Sequence, residues 1–369
     1  MLQFILGRAG SGKTVKIQEI IADLVQNGAE KLLLIVPEQS SFETEKAMLT
    51  FLGEQGASNV RVATFTRLIE LVFRQTGGGL GQRISKGDRN LLMSLAIDKV
   101  AGRLAMYRGQ AGKLEFVEMM VAALSEFKMC NVDYNSLLEI SNAVEDPILR
   151  AKMQDTALIL EAYESLLQSA HSDPLDDLTR LAQRLAQCDS FFGGYTVMFD
   201  GFEGFTPQQM AIIEIILKQS ENCYISLCTD ATGFLDDDFS LFAPINRTAK
   251  RILNIAKSNN LQVNEPICLE KSRRFKGNGL KTLEARVFRP KKEPFCEEIG
   301  DVLIFRGRTK YEEADFVCRT IRRLVCENGY KYGDFAVVTR NEETYRGIID
   351  VFFEKYEIPY FMDRREEID

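Results

Sequence analysis

No apolar run in this chain approaches the roughly 18 residues that a membrane-spanning helix requires. The first apolar segment already begins at Leu2, which leaves no room for a secretory leader. The expectation is a cytoplasmic protein with no membrane partner. The cysteines (Cys130, Cys188, Cys223, Cys228, Cys268, Cys296, Cys318, Cys326) contain no CxxC pair, so buried reduced thiols are expected rather than a zinc or iron–sulfur centre. The single histidine, His171, lies in a polar stretch beside Asp173-Pro174 and reads as a loop residue rather than a general base. Excess positive charge is also missing: 46 Lys and Arg stand against 53 Asp and Glu, for a net charge of −7. The surface as a whole is therefore no attractor of nucleic acid, although a local groove can be basic on an acidic protein.

What remains is an ordinary globular composition, 45% hydrophobic and 27% charged over 369 residues, with room for about two or three domains. One segment stands out. Directly after Leu2-Gln3-Phe4-Ile5-Leu6 comes Gly7-Arg8-Ala9-Gly10-Ser11-Gly12-Lys13-Thr14, a Gly, four residues, then Gly-Lys-Thr. A strand precedes it and a helix-forming stretch, Val15 to Gln26, follows, as the phosphate-binding loop requires. Glycines let successive N–H groups turn inward on phosphate oxygens, and the helix N-terminus adds its positive field. In such a loop Lys13 reaches the β- and γ-phosphates and the Thr14 hydroxyl ligates Mg²⁺.

Further along, Lys31 to Val36 reads as a second buried strand ended by Pro37, and Val60 to Ala63 as a third, followed by a helix through Phe73. Three strand-then-helix units in succession argue a parallel sheet. After Gly77-Gly78-Gly79 the rhythm changes to helical stripes such as Phe116, Met119, Met120, Ala123, Leu124 and Phe127, an insertion without convincing strands. Strands resume at Tyr195 to Phe199 and Cys223 to Cys228, around a helix Pro207 to Leu217. Lys271 to Lys292 is basic, aperiodic and linker-like, or an edge element. Beyond Asp301, strands are expected at Val302 to Phe305, Phe335 to Val338 and Ile358 to Phe361, with a helix over Glu312 to Glu327.

A P-loop ATPase holds its Mg²⁺ with an acidic residue at the end of a neighbouring strand, and Asp200 is placed for that role. In motor ATPases of this build a glutamate directly after the aspartate orients the attacking water; here that position is Gly201. Glu203 stands two residues further on, a poor substitute in a tight loop. The strand ending Cys228-Thr229-Asp230 likewise lacks a downstream glutamine to sense the γ-phosphate. Nucleotide binding is expected to be retained and efficient hydrolysis lost.

These segments resemble UvrD-type superfamily 1 helicases. The Gly7–Thr14 loop, Leu33-Leu34-Ile35-Val36-Pro37-Glu38-Gln39 and Ala63-Thr64-Phe65-Thr66-Arg67-Leu68 resemble their opening motifs. Glu312-Glu313-Ala314, Phe335 to Asn341 and Ile358-Pro359-Tyr360 resemble the start of their second motor domain. The pairing of Val36-Pro37-Glu38-Gln39 with Asp200-Gly201-Phe202 and Phe205-Thr206-Pro207-Gln208 is similar to the AddB family, the helicase-like nuclease subunits of bacterial AddAB helicase–nucleases. The resemblance spans essentially the whole chain.

It implies an α/β fold, a RecA-like P-loop NTPase parallel sheet with a helical insertion and the start of a second RecA-like domain. The expected divisions are residues 1–80, 81–190, 191–285 and 286–369. It further implies ATP and Mg²⁺ as cofactors and an AddA-type motor subunit as heterodimer partner. The implied role is the processing of double-strand DNA breaks for recombination, with a degenerate motor scanning single-stranded DNA for the Chi sequence. The family's nuclease domain and iron–sulfur cluster belong to a C-terminal region that nothing in residues 1–369 matches, so the chain is expected to be an N-terminal piece without that activity.

The resemblance places Pro37, Glu38 and Gln39, with Thr64 to Arg67, where such proteins meet single-stranded DNA and ATP. Phe65 then stacks on a base and Arg67 contacts phosphate, or Phe65 is core and Arg67 a solvated helix residue; both readings stand. Arg247 sits where helicases place a γ-phosphate sensor but reads better as an ordinary helix-start residue. Lys271, Arg273, Arg274, Lys276 and Lys281 form either a basic track for DNA phosphates or a solvated face. Three functions remain open: a nucleotide- and DNA-binding subunit that is not a motor, an active translocase using Glu203 or a partner's base, and a scaffold with a relic P-loop.

Overall fold

The computed structural model describes residues 1–78, 82–167, 171–230, 240–288, 294–296 and 298–362. In chain order it holds β1 (Leu2–Gly7), α1 (Lys13–Gln26), β2 (Leu32–Ile35), α2 (Ser41–Ala57), β3 (Val60–Ala63), α3 (Phe65–Thr76), β4 (Gln82–Arg83), α4 (Lys86–Val100), α5 (Leu114–Met129), α6 (Tyr134–Ala143) and α7 (Pro147–Leu167). There follow β5 (His171–Ser172), α8 (Asp177–Ala186), β6 (Thr196–Phe199), α9 (Pro207–Gln219), β7 (Asn222–Cys228), α10 (Ala243–Ser258) and β8 (Ile267–Leu269). These elements lie in one compact unit, Met1–Lys276; Gly277–Val287 and the described residues from 294 onward form a second.

The strands of the first unit align in the order β3-β2-β6-β7-β1-β8, with every neighbouring pair parallel. Parallel strands need crossover connections, so helices cover both faces and the strands read as unbroken apolar runs. Alternate residues serve opposite faces. Phe4, Leu6, Leu33, Ile35, Val197 and Phe199 pack with α3, α8, α9 and α10, while Ile5, Leu32, Leu34 and Met198 pack with Ile17 and Ile21 of α1 and Met48 of α2. Each such buried side chain contributes roughly 1.5–3 kcal/mol. The edge strand β8 escapes the sequence pattern because it is three residues long and only partly buried; its ladder with Ile5, Leu6 and Gly7 is what reveals it.

Residues 82–167 carry a core of their own, with Met93 and Ile97 of α4, Phe116, Met120 and Leu124 of α5, and Leu160 and Tyr163 of α7. The one departure from the expected all-helical insertion is the two-residue parallel pairing of β4 with β5. It makes His171 a strand residue rather than a loop residue; its side chain lies outside the described residues, as does Gly79. Two buried carboxylates organise this unit. Asp155 accepts the backbone N–H groups of Ala105, Met106 and Tyr107 at 2.9, 2.7 and 2.9 Å. Asp173, fully buried, pairs with Arg89 at 2.8 Å and accepts from the Tyr163 hydroxyl at 2.8 Å and the Leu175 N–H at 3.0 Å.

The thiols correct a simple expectation. Cys223 and Cys318 are buried, but Cys130, Cys268, Cys296 and Cys326 are exposed. Burial pushes the Cys223 thiol up to about 12.

In the second unit, α11 (Asn278–Arg286), α12 (Lys310–Asn328) and α13 (Ile349–Lys355) are helical. The expected strands at 302–305, 335–338 and 358–361 are not formed; Ile304, Val338 and Phe361 are each 90% exposed. An apolar pattern proposes a strand, but a ladder also needs a neighbour in register to take its N–H and C=O groups. Cys318, Ile321, Phe353 and Ile358 form this unit's own small core. Among the described residues, no helix is long and apolar enough to cross a membrane.

Burial works to raise the pKa of Asp173, but Arg89, the Leu175 N–H, Lys128 and the Tyr163 hydroxyl outweigh it and hold the carboxyl below the usual range. A depressed folded pKa stabilises above the unfolded value of roughly 3.9 and loses that contribution as pH falls through the folded value. Asp173→Asn, which strands Arg89, is expected to destabilise the fold by about 3–5 kcal/mol at pH 7. In urea titrations followed by circular dichroism, the gap from wild type should narrow below about pH 4. A gap independent of pH would contradict the assignment.

Candidate nucleotide and DNA site

Parallel register brings the C-terminal ends of all six strands to one edge, where open α/β sheets bind ligands. At the end of β1 the chain turns through Arg8 to Gly12 and enters α1 at Lys13. Gly10 and Gly12 adopt φ of 75° and 94°, a left-handed conformation that side chains with a Cβ resist. Gly12 is thereby the N-cap of α1 without a side-chain cap, leaving the first N–H groups of the helix open. Lys13 Nζ folds back over the loop, donating to the carbonyls of Gly7 at 2.9 Å and Arg8 at 3.0 Å. Thr14 is exposed on the first turn, and the buried Ser11 Oγ has no partner. Backbone amides, Lys13 and a hydroxyl at a helix N-terminus are groups that could hold a polyphosphate and its Mg²⁺. Arg8 turns sideways instead, to Asp230 at 2.9 Å, with its guanidinium 5.2 Å from the centre of the Phe242 ring.

Asp200 directly follows β6, two strands from β1 with β7 between, roughly 10 Å across the sheet at the usual strand spacing. It is buried, and the Ser226 hydroxyl of β7 donates to it. The next residue explains itself. Gly201 has φ of 80°, and a Cβ there would meet the Pro37 ring at 3.4 Å. The position where a motor carries its glutamate is therefore a left-handed turn closed over Pro37. Glu203 is exposed in the following loop. Arg247 lies inside α10 and donates to Ala243 of its own helix at 3.4 Å, an ordinary helix residue.

The segments Pro37–Gln39 and Thr64–Arg67 do meet at this edge: the Glu38 carboxylate accepts the Thr66 N–H at 3.2 Å. Their side chains divide differently from the sequence expectation. Thr64 is buried and caps α3 by accepting the Arg67 N–H at 3.2 Å. Phe65 is 5% exposed, packed against Phe199 and Phe202 at ring distances of 6.4 and 5.8 Å. Of its two possible placements the structure has the core one, because the α3 stripe turns Phe65 toward the sheet with Leu68, Ile69 and Val72. Gln39 and Arg67 are exposed, the latter ion-paired with Glu45 of α2. Phe42, 72% exposed on the first turn of α2, is an aromatic at this edge that the sequence pattern did not single out.

The profile of the family described as "ADDB, N-terminal" matches residues 4–284. The chain belongs to the AddB family. Over its full length it is 34% identical to the B subunit of the ATP-dependent helicase/deoxyribonuclease of Clostridium tetani (strain Massachusetts / E88), covering 33% of that protein. It is 33% identical to the corresponding B subunits from Clostridium novyi (strain NT) and Clostridium kluyveri (strain NBRC 12016), again over all of this chain and 32% of each relative. The chain thus spans about a third of the length of the curated relatives it matches. The family's likeness covers both the P-loop and the Asp200–Gly201 turn.

The division between core and surface at this edge is measurable. Phe65→Ala is expected to cost about 3–5 kcal/mol of unfolding free energy. Phe42→Ala should stay within about 0.5 kcal/mol. Equal costs in urea titration would contradict the placement of either ring.

Proposed function

We propose that this chain is the helicase-like region of the B subunit of an ATP-dependent helicase/deoxyribonuclease, acting in double-strand break repair by homologous recombination. In this reading it binds ATP with Mg²⁺ and single-stranded DNA but turns over little or no ATP. The observation that carries it is the pairing of an open P-loop with the closed Asp200–Gly201 turn. Backbone amides of Gly7 to Gly12 and the Lys13 ammonium would hold the phosphates, and Thr14 and Asp200 would hold Mg²⁺. When bound, the metal neutralises phosphate charge. Nothing at Gly201 takes a proton from water, and its φ of 80° would strain a glutamate there.

Single-stranded DNA, in this proposal, crosses the edge of β2 and β3. Gln39 and Arg67 face it, and Pro37, Thr64 and Phe65 shape the edge from below. Arg67 must exchange Glu45 for a phosphate oxygen, an exchange between partners of like charge that screening makes inexpensive at the surface. The relatives are each one subunit of a larger enzyme, which supports an AddA-type motor subunit as the partner and the cytoplasm, where DNA is processed, as the location. In this reading the nuclease activity and the iron–sulfur cluster that the resemblance implies lie outside residues 1–369.

Binding of a fluorescent ATP analogue with Mg²⁺, with turnover followed in the same samples with and without single-stranded DNA, tests this. Lys13→Ala is expected to weaken binding at least about tenfold, or 1.4 kcal/mol, with turnover negligible throughout. Gly201→Glu should not create turnover. DNA-stimulated turnover in the wild type would make the chain a working motor, and absence of binding would make it a scaffold.

A further inference from the structure

In the helical insertion, α4 and α5 are joined by residues 101–113. From Lys99 to Lys113 the sequence carries Lys99, Arg103, Arg108 and Lys113 and no acid, in a chain of net charge −7. All four cations are exposed. Among the described residues no ion pair engages them, and Lys113 donates to Gln110 Oε1 at 2.9 Å. The ion pairs of the insertion gather instead around Asp173, Asp176 and Asp177. The loop is nevertheless held in one shape. The N–H groups of Ala105, Met106 and Tyr107 converge on the buried Asp155 carboxylate of α7, and the Tyr107 ring lies 5.0 Å from that of Phe116. Burying a carboxylate sacrifices its hydration, and three N–H donors offset that loss only in a fixed backbone. Little of the backbone so fixed turns inward. Leu104 is buried, but a Cβ on Gly102, Gly109 or Gly112 would meet nothing within 4 Å, so a partner can approach the backbone closely. The loop also stands apart from the sheet. At the other end of α5, Lys128 pairs with Asp176 at 2.6 Å, next to the Leu175 carbonyl that accepts the Gln208 side-chain amide from the first turn of α9. The 16 residues of α5 place about 24 Å between that junction and the loop.

We propose that residues 99–113 are a docking surface for the phosphate backbone of duplex DNA, separate from the single-strand path at β2 and β3. Lys99, Arg103, Arg108 and Lys113 make charge-assisted contacts with phosphate oxygens, and the counterions they displace supply much of the free energy. A duplex is favoured over a single strand because the loop offers no ring for a base to stack on. Tyr107, the one aromatic residue of the segment, is turned against Phe116. Contacts to phosphate alone suit a helix whose bases face inward. DNA is favoured over an acidic protein surface because protein interfaces are anchored by buried aromatic and apolar side chains. Within residues 101–113, Met106 is the one large apolar side chain exposed. The contact rests on the reading of the chain as part of a DNA-processing enzyme, but neither on the P-loop nor on Arg67.

Fluorescence anisotropy of the full chain with a short blunt duplex, and with one of its strands alone, across a salt series tests this. Arg103→Ala combined with Arg108→Ala should weaken duplex binding about tenfold and lower the slope of log K against log salt by about 2. Single-strand affinity and the circular dichroism spectrum should stay at their wild-type values. Arg103→Lys combined with Arg108→Lys should keep most of the duplex affinity, since phosphate contact needs the charge. Lys257→Ala, which removes a cation from the exposed end of α10, should change neither readout. Wild-type duplex affinity and salt slope in the double alanine variant overturn the inference, as does an equal loss on both forms of DNA. Tighter binding of poly-L-glutamate than of the duplex would make the loop a seat for an acidic protein and also overturn it. A wild type that binds the single strand but no duplex overturns this contact alone and leaves the proposed function standing. A wild type that binds neither overturns both.

Discussion

The parallel ladder that seats β1 between β7 and β8 is the constraint on which the rest of this molecule depends. It fixes the direction in which Gly7 leaves the sheet, and with it the direction of the α1 N-terminus. The same ladder carries Asp200 and Asp230 to the edge on which the P-loop lies, since β6 and β7 run the same way. Through β8 it delivers Arg273 and Arg274 onto Gly10, whose carbonyl accepts both of their N–H groups. Groups separated by more than 200 residues in sequence thus meet through the sheet.

The site carries left-handed glycines with two opposite consequences. Left-handed glycines at 10 and 12 open a cradle of amides toward solvent. A third, at 201, closes a turn over Pro37 and disfavours a carboxylate-bearing residue at that position. In the proposed reading, binding and hydrolysis rest on different residues on different strands, so the one can persist where the other is gone. The insertion is held by another logic, in which Asp155 and Asp173 are buried with full hydrogen-bond partners. Such carboxylates fix one arrangement of the surrounding helices, because any alternative leaves a charge unpaired.

Much of this was legible in the residues. The P-loop spacing, the apolar runs of β1, β2, β6 and β7, and the helical stripes of the insertion depend on local rules of period and turn chemistry. What escaped depended on partners. The three-residue β8 has too little pattern to announce itself and exists because β1 offers an open side. The apolar segments at 302–305 and 335–338 have the pattern and no ladder. Phe65 and Arg67 are two residues apart, and only the orientation of α3 against the sheet sends the first inward and the second to solvent.

The sequence by itself determined the α/β class, the glycine-rich turn from Gly7 to Thr14 and the absence of a glutamate after Asp200, because each is a matter of residue type at a fixed short spacing. Tertiary structure alone decided that Gly201 sits left-handed against Pro37, that Thr64 and Phe65 support the edge rather than face it, and that a basic run lies on the P-loop. Those outcomes turn on contacts between segments distant in the chain. Their energies depend on the packing of the whole sheet rather than on the preference of any one residue.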